Sequence, residues 1–357
     1  MRRLPVAPTG GGFAVRSEIA GSGIAAWTSP EWRDQAVSWL DAQLAAAGID
    51  RTGDVEQPHL RPWATVLRVP TTEGAVWLKA AGPGTAFEVG LYELLAGIAS
   101  DRVLTPIAAD RARGWILLPD GGVPLAERLT GTDLIEAFVS ALVHYGELQR
   151  DLAPHVDELL TLGVADMRPT VMVERFAQAL DVTAAAIDQH GTAADRAMHH
   201  QVAAMGDTIA FWCEQLMASR VPASLDHNDL HPWNILGDGS RGVRFYDWGD
   251  SVVAHPFAAM LVPLGMLERH FNVSVHDPRF VRARDAYLEV FTAIAPDEEL
   301  ATTLEVACRL AKVARVLTWE RALQAAREQG DEIPDSWATA PMRTLAALLD
   351  ASYLGGA

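Results

Sequence analysis

Apolar residues at Trp32, Ala36, Trp39, Leu40 and Leu44 recur at three- and four-residue steps, the spacing of one helical face. Ser29-Pro30-Glu31 in front of them reads as N-cap, N1 proline and first-turn acid, and Gly48 as the stop. From about residue 54 to 80 the texture changes to strands. Val66-Leu67-Arg68-Val69-Pro70 and Ala75-Val76-Trp77-Leu78-Lys79 flank the turn cluster Thr71-Thr72-Glu73-Gly74, which predicts a hairpin. A helix is expected over 85–97, with Phe87, Leu91, Leu94 and Leu95 on one side, and further strands at Val103 to Ile107 and Trp115 to Leu118. Pro119-Asp120-Gly121-Gly122 can continue neither element and marks a boundary.

Beyond that boundary the period is mostly helical. Leu134 to Leu152 is amphipathic through Phe138, Leu142, Tyr145 and Leu148, and helices are expected at Val171 to Ile187, Ala203 to Met217, Pro278 to Ile294 and Leu300 to Ala326. The exception is a hairpin near 233–247. Together these predict an α+β, two-lobed chain: a Gly-rich N-terminal segment (1–28) expected to be flexible, a small strand-rich lobe (29–119) and a larger helical lobe (120–357).

The chain has 357 residues, 49% apolar and 21% charged, with two cysteines, Cys213 and Cys308, in apolar helical contexts. That describes an ordinary globular protein with buried thiols and no disulfide scaffold. The longest apolar run, Val252 to Met266, is broken by His255 and Pro256 and is too short to span a bilayer. No apolar stretch follows Arg2 and Arg3, so no signal peptide is read and a cytoplasmic location is expected. A formal net charge of −17 argues against nucleic acid and, through steering, favours a cationic small molecule. The same acidity also serves solubility alone.

The chemistry concentrates in Asp226-His227-Asn228-Asp229-Leu230-His231-Pro232-Trp233-Asn234 and Tyr246-Asp247-Trp248-Gly249-Asp250. Asn234-Ile235-Leu236-Gly237 and Val243-Arg244-Phe245-Tyr246-Asp247 read as paired strands around the turn cluster 238–242. Closing that hairpin brings Asn234 and Asp247 to the same end, about 5 Å apart, where an amide oxygen and a carboxylate can share Mg²⁺. Asp229, in the loop entering the hairpin, can accept the proton of an attacking hydroxyl while the metal holds a γ-phosphate.

These residues resemble the HGDLHxxN and DWGD motifs of the aminoglycoside-phosphotransferase-like small-molecule kinases, a group that includes choline-kinase types and has a protein-kinase-like fold. Asn228 stands where the motif usually has Gly. The wider pattern covers roughly residues 57 to 325, and only this core is specific. The resemblance implies a catalytic Asp229 and metal ligands Asn234 and Asp247. It further implies an ATP- and Mg²⁺-dependent transfer to a hydroxyl of an aminoglycoside, another antibiotic, or a sugar or amino sugar, with antibiotic resistance as one role. GTP remains open as the donor.

The same resemblance implies a strand lysine paired with a helix glutamate on the phosphates. Lys79 ends an apolar strand, and Glu88 is the expected partner, although Thr85-Ala86-Phe87-Glu88 also reads as a capping box. Glu93 is the alternative. Leu60 to Thr65 would cover the phosphates without Gly-rich character, with Arg61 a candidate contact. The end of the strand at Leu118 and Asp120 is where the resemblance puts the adenine-binding segment. Asp250, Trp319 and Glu320 are candidates for the acceptor pocket, each with a plain structural alternative. Two other readings stay open. One is a nucleotide-binding pseudokinase. The other is a metal-dependent hydrolase whose ligands His227, Asp229 and His231 alternate as they would on a strand.

Overall fold

The computed structural model describes residues 22–237 and 242–355. Residues 1–21 of the N-terminal segment and 238–241 of the turn cluster lie outside them. Helix α1 (Ile24–Trp27) leads into α2 (Pro30–Ala47). The Ser29 side chain accepts from the Trp32 amide at 3.2 Å, and Gly48 closes the helix at φ 72°, a left-handed conformation that suits glycine. The buried face is Trp32, Ala36, Leu40 and Leu44, as the spacing predicts, and it packs with Leu67, Leu78, Trp115 and Leu117 on one side of a sheet.

That sheet is antiparallel, in the order β1-β2-β3-β5-β4, from β1 (Glu56–Arg61), β2 (Ala64–Thr71), β3 (Gly74–Ala81), β4 (Ala108–Asp110) and β5 (Trp115–Pro119). The β2–β3 hairpin is present as expected, with Val66 opposite Lys79 and the turn at Thr72-Glu73. Helix α3 (Phe87–Ala99) follows β3 and crosses to the second lobe's core. The strand expected from Val103 to Ile107 is absent. Pro106 has no N–H to give, Val103 makes only an isolated bridge to Phe245, and pairing starts at Ala108.

The rest is mainly helical: α4 (Leu125–Arg128), α5 (Gly131–Leu152), α6 (Val156–Thr161), α7 (Pro169–His190), α8 (Ala193–Ala203), α9 (Gly206–Met217), α10 (Leu261–Gly265), α11 (Pro278–Glu289), α12 (Leu300–Gln329), α13 (Asp335–Ala338) and α14 (Ala340–Ala346). Helix α8 was not expected. It is started by a capping box in which Thr192 and Asp195 satisfy each other's backbone amides. A small sheet, β6 (Ala165–Asp166), β10 (Val252–Ala254) and β7 (Ser224–Asp226), also escapes the pattern, because its strands are too short to show a period. Strands β8 (Ile235–Leu236) and β9 (Arg244–Phe245) form the expected hairpin.

The apolar run beginning at Val252 is interior, and among the described residues no helix is long and apolar enough to cross a membrane. Both cysteines are free and buried. Beneath β7 a polar network sets its height. The Tyr145 hydroxyl and the Gln149 amide donate to Leu225 O at 3.1 and 2.9 Å, and Tyr287 donates to Gln149 Oε1 at 2.6 Å. The segment after β7 therefore leaves from a rigid base.

Candidate functional site

At the end of β7 the backbone bends sharply. His227 N donates to the Tyr145 hydroxyl at 2.7 Å, and Asn228 N donates to Asp226 Oδ1 at 2.6 Å. Asn228 itself has φ 60°, the left-handed region that Gly and Asn tolerate best. This is the physical reason an asparagine can stand where the motif has glycine. Its side chain adds two anchors, to Thr318 Oγ1 at 2.9 Å and Asp250 O at 3.3 Å. The positive φ also breaks the alternation on which the hydrolase reading rests. His227 instead bonds Tyr246 O through Nε2 at 3.0 Å and lies tilted against the Trp248 ring. Among the described residues no group of three or more His, Cys, Asp or Glu side chains could hold a metal ion.

The bend presents Asp229, whose side chain is 31% exposed. Its Oδ2 lies 3.3 Å from His231 Nε2, and its Oδ1 lies 3.6 Å from the Arg315 guanidinium. Burial pushes this carboxyl up, but the His231 bond and the Arg315 charge outweigh it and hold the pKa at about 2. Asn234 departs from the expectation of a strand residue. Pro232–Asn234 is one turn of 3-10 helix, and pairing begins only at Ile235. The buried Asn234 amide donates to Asp229 O at 2.9 Å and so ties the two ends of the loop together.

Asp247 follows β9 with φ 65° and ψ 62°. Its amide donates to the Tyr92 hydroxyl at 3.1 Å, and its carboxylate, 51% exposed, meets Lys79 Nζ at 2.5 Å. Lys79, from β3, also meets Glu88 at 2.7 Å. Burial alone would lower the lysine's pKa, and the charges of Asp247 and Glu88 reverse that, raising it well above the ordinary range. Glu88 is buried on α3 and accepts the Trp248 amide at 2.9 Å. The capping-box reading is thereby corrected. Thr85 Oγ1 donates to Trp63 O at 3.0 Å, and the helix has no side-chain cap. Glu93 pairs with Arg111 at 2.6 Å.

Lys79, Asp229, Asp247 and Asp250 line one cavity of about 150 Å³ between the sheet and α12, together with Trp63, Arg315, Thr318 and Trp319. Burial and the Asp229 charge push the Asp250 carboxyl up to about 7, against the pull of Arg321 and Arg315. The remaining candidates sit elsewhere. Arg61 lies over the Trp337 ring, Leu118 faces Trp77 within the sheet, Asp120 accepts from Gly122 N, and Glu320 pairs with Arg327. A wider surface depression of about 700 Å³, lined by residues including Arg102, His144 and Asp151, contains none of the residues singled out by sequence.

Sequence reasoning places Trp63 only within the segment 60–65 over the phosphates, and it misses Arg315. The available signal was a helical face of α12, where Arg315, Thr318, Trp319 and Ala322 recur at three- and four-residue steps amid apolar neighbours. Arg321, from the same helix, donates to Gly249 O at 3.2 Å and lies over the Phe87 ring, linking α12 to α3.

No protein-family model matches the chain, and no curated protein does. Its structure is similar to an ethanolamine kinase of Plasmodium vivax, with a TM-score of 0.58, 13% identity, and 94% of each chain covered. A choline/ethanolamine kinase family protein of Mesorhizobium loti follows at 0.54 and 17% identity, covering 90% of this chain and 96% of the other. A macrolide 2′-phosphotransferase of Brachybacterium faecium has 0.51 and 17%, covering 87% and 98%. At these identities the likeness establishes the fold: a small antiparallel lobe and a larger helical one, in the two-lobed arrangement these kinases share.

Proposed function

We infer that this chain transfers the γ-phosphoryl group of ATP to a hydroxyl of a small molecule, with Asp229 as the proton acceptor. The observation that carries the reading is the double ion pair of Lys79, to Glu88 and to Asp247, on the cavity that Asp229 also lines. In this reading residues 29–119 grip the nucleotide and 120–357 carry the catalytic loop.

The donor set suits Mg²⁺, which takes oxygen ligands and is commonly held by one or two protein groups plus phosphates. Asp247 offers a half-exposed carboxylate. Asn234 commits its Nδ2 to Asp229 O, which leaves the amide oxygen as its other group. Bound there, the ion would neutralise phosphate charge. Lys79, kept charged by Glu88, would hold the phosphates from the sheet side. Asp229 is ionised throughout the neutral range, so it can orient the acceptor hydroxyl and take its proton as the bond to phosphorus forms. Positioning and charge supply most of such a reaction's acceleration.

The cavity presents three acidic side chains, Asp229, Asp247 and Asp250, beside the cations Lys79 and Arg315, within a chain of net charge −17. This supports an amine-bearing acceptor such as an amino sugar. The test is nucleotide turnover with a panel of such acceptors, with ATP and with GTP, read as the mass gain of one phosphate. Transfer by the wild type that disappears in Asp229→Ala supports the mechanism. Equal transfer by both proteins sinks it.

A further inference from the structure

We propose that Trp63, a residue of the nucleotide-side lobe, is the size-limiting wall of the acceptor chamber and restricts this protein to compact acceptors. The proposal rests on the phosphotransfer reading above and adds which residue sets the acceptor's bulk.

Strands β1 and β2 pair Arg61 with Ala64, so their turn consists of Pro62 and Trp63 alone. A loop that wraps phosphates needs several backbone N–H groups facing them. Proline has none, and a two-residue turn leaves at most one. The turn's carbonyl is also engaged: Trp63 O accepts from Gly82 N at 2.7 Å and from Thr85 Oγ1 at 3.0 Å. These bonds fix the turn over the site and commit its backbone to the protein.

What the turn delivers is an indole. The Trp63 ring makes edge contacts with Trp319 on α12 (centroids 6.1 Å apart) and Trp337 on α13 (5.1 Å). It lines the cavity alongside Asp229, Asp247 and Asp250. A wall of the proposed acceptor chamber therefore comes from the opposite lobe. With the indole in place the whole cavity, including the Lys79 and Asp247 side assigned to the phosphates, measures about 150 Å³. Pockets that enclose drug-sized ligands start at about 300 Å³. The share left to an acceptor suits a compact molecule such as a small amino alcohol, and a multi-ring antibiotic exceeds it. The aromatic faces beside the Asp229 carboxylate also suit an organic ammonium group.

The experiment compares wild type, Trp63→Ala and Trp63→Phe, each checked for folding by circular dichroism and thermal melting. Two quantities are measured: nucleotide affinity by calorimetry, and binding and phosphorylation of matched compact and bulky amine-bearing alcohols. The expected result for Trp63→Ala is a KM or Kd for compact acceptors raised about tenfold and new acceptance of bulky ones. Its nucleotide Kd should stay within about threefold, and Trp63→Phe should fall between the two. Loss of nucleotide affinity with unchanged acceptor selectivity overturns the proposal, as does a wild type that accepts bulky and compact acceptors alike. If no acceptor is phosphorylated by any variant, the phosphotransfer reading falls, and the binding arm still decides Trp63. Compact ligands bound about tenfold more tightly by the wild type than by Trp63→Ala, with bulky ones bound more weakly or not at all by the wild type than by Trp63→Ala, uphold it. Equal binding by both, or none by either, rejects it.

Discussion

Lys79 Nζ lies 2.5 Å from Asp247 Oδ1, although 168 residues separate the two in the chain. The contact joins the sheet of one lobe to the hairpin of the other, and Glu88, 2.7 Å away, completes it from α3. Glu88 is 1% exposed, so its charge depends on this lysine and on the Trp248 amide.

Replacing Lys79 with Met should therefore destabilise the fold as well as abolish transfer. Removing one partner of a buried pair costs about 3–5 kcal/mol, because the other charge is stranded. The double variant Lys79→Met/Glu88→Gln should recover much of that stability and none of the activity. Urea unfolding of the four proteins in the cycle checks it. A double variant whose loss equals the sum of the two single losses would show that the pair is uncoupled.

Asn228 should be more sensitive to alanine than to glycine. Glycine takes φ 60° without strain and loses only the bonds to Thr318 and Asp250. Alanine loses the same bonds and adds the left-handed penalty, about 1 kcal/mol or more. Thermal melting should rank wild type above Asn228→Gly, and Asn228→Gly above Asn228→Ala.

How much of this was legible beforehand depends on how local the cause is. Helix α2 is fully readable, since Ser29, Pro30 and Gly48 act on their own neighbours. That Asp229 and Asp247 face one cavity is readable because one loop and one hairpin carry both. Asn234 was assigned to a strand because the side-chain pattern there hides what Pro232 does to the turn. The strands β6, β7 and β10 have two or three residues each, too few for an alternation to register. Trp63 and Arg315 belong to the cavity only through tertiary packing: nothing near Trp63 in sequence indicates that Trp319 and Trp337 meet it.

Stability should depend on pH through Asp226. Its side chain is fully buried with Oδ2 unpartnered, and burial raises the pKa from 3.8 to about 7, against the Asn228 amide bond and the Arg315 charge. Between about pH 4 and pH 7 the folded protein holds a proton that the unfolded chain has lost, so this group's contribution falls as pH rises through that window. Asp226→Asn keeps an oxygen for the Asn228 amide and cannot ionise. It should be more stable than wild type at pH 8, with the gap shrinking toward pH 4. Paired denaturant curves at both pH values measure it, and a gap that does not narrow on acidification refutes it.

Arg315 provides the sharpest check on the geometry around Asp229. Its guanidinium donates to Asn228 O and lies 3.6 Å from Asp229 Oδ1, so one side chain both anchors the bend and supplies charge beside the proposed base. Arg315→Lys keeps a positive charge on a shorter, unforked group, whereas Arg315→Met removes the charge and keeps the stem. If charge is what matters, lysine should retain most of the turnover and methionine should lose about 10²-fold in kcat, the loss seen when an electrostatic donor is removed from an active site. If the fork to the Asn228 carbonyl matters, both variants should lose similarly, because the bend would relax and displace Asp229. Nucleotide affinity should hold in either case, since the nucleotide grip is assigned to Lys79 and Glu88 on the other lobe. Steady-state kinetics of the two variants at saturating nucleotide separate the outcomes. Full activity in Arg315→Met would remove Arg315 from the proposed chemistry.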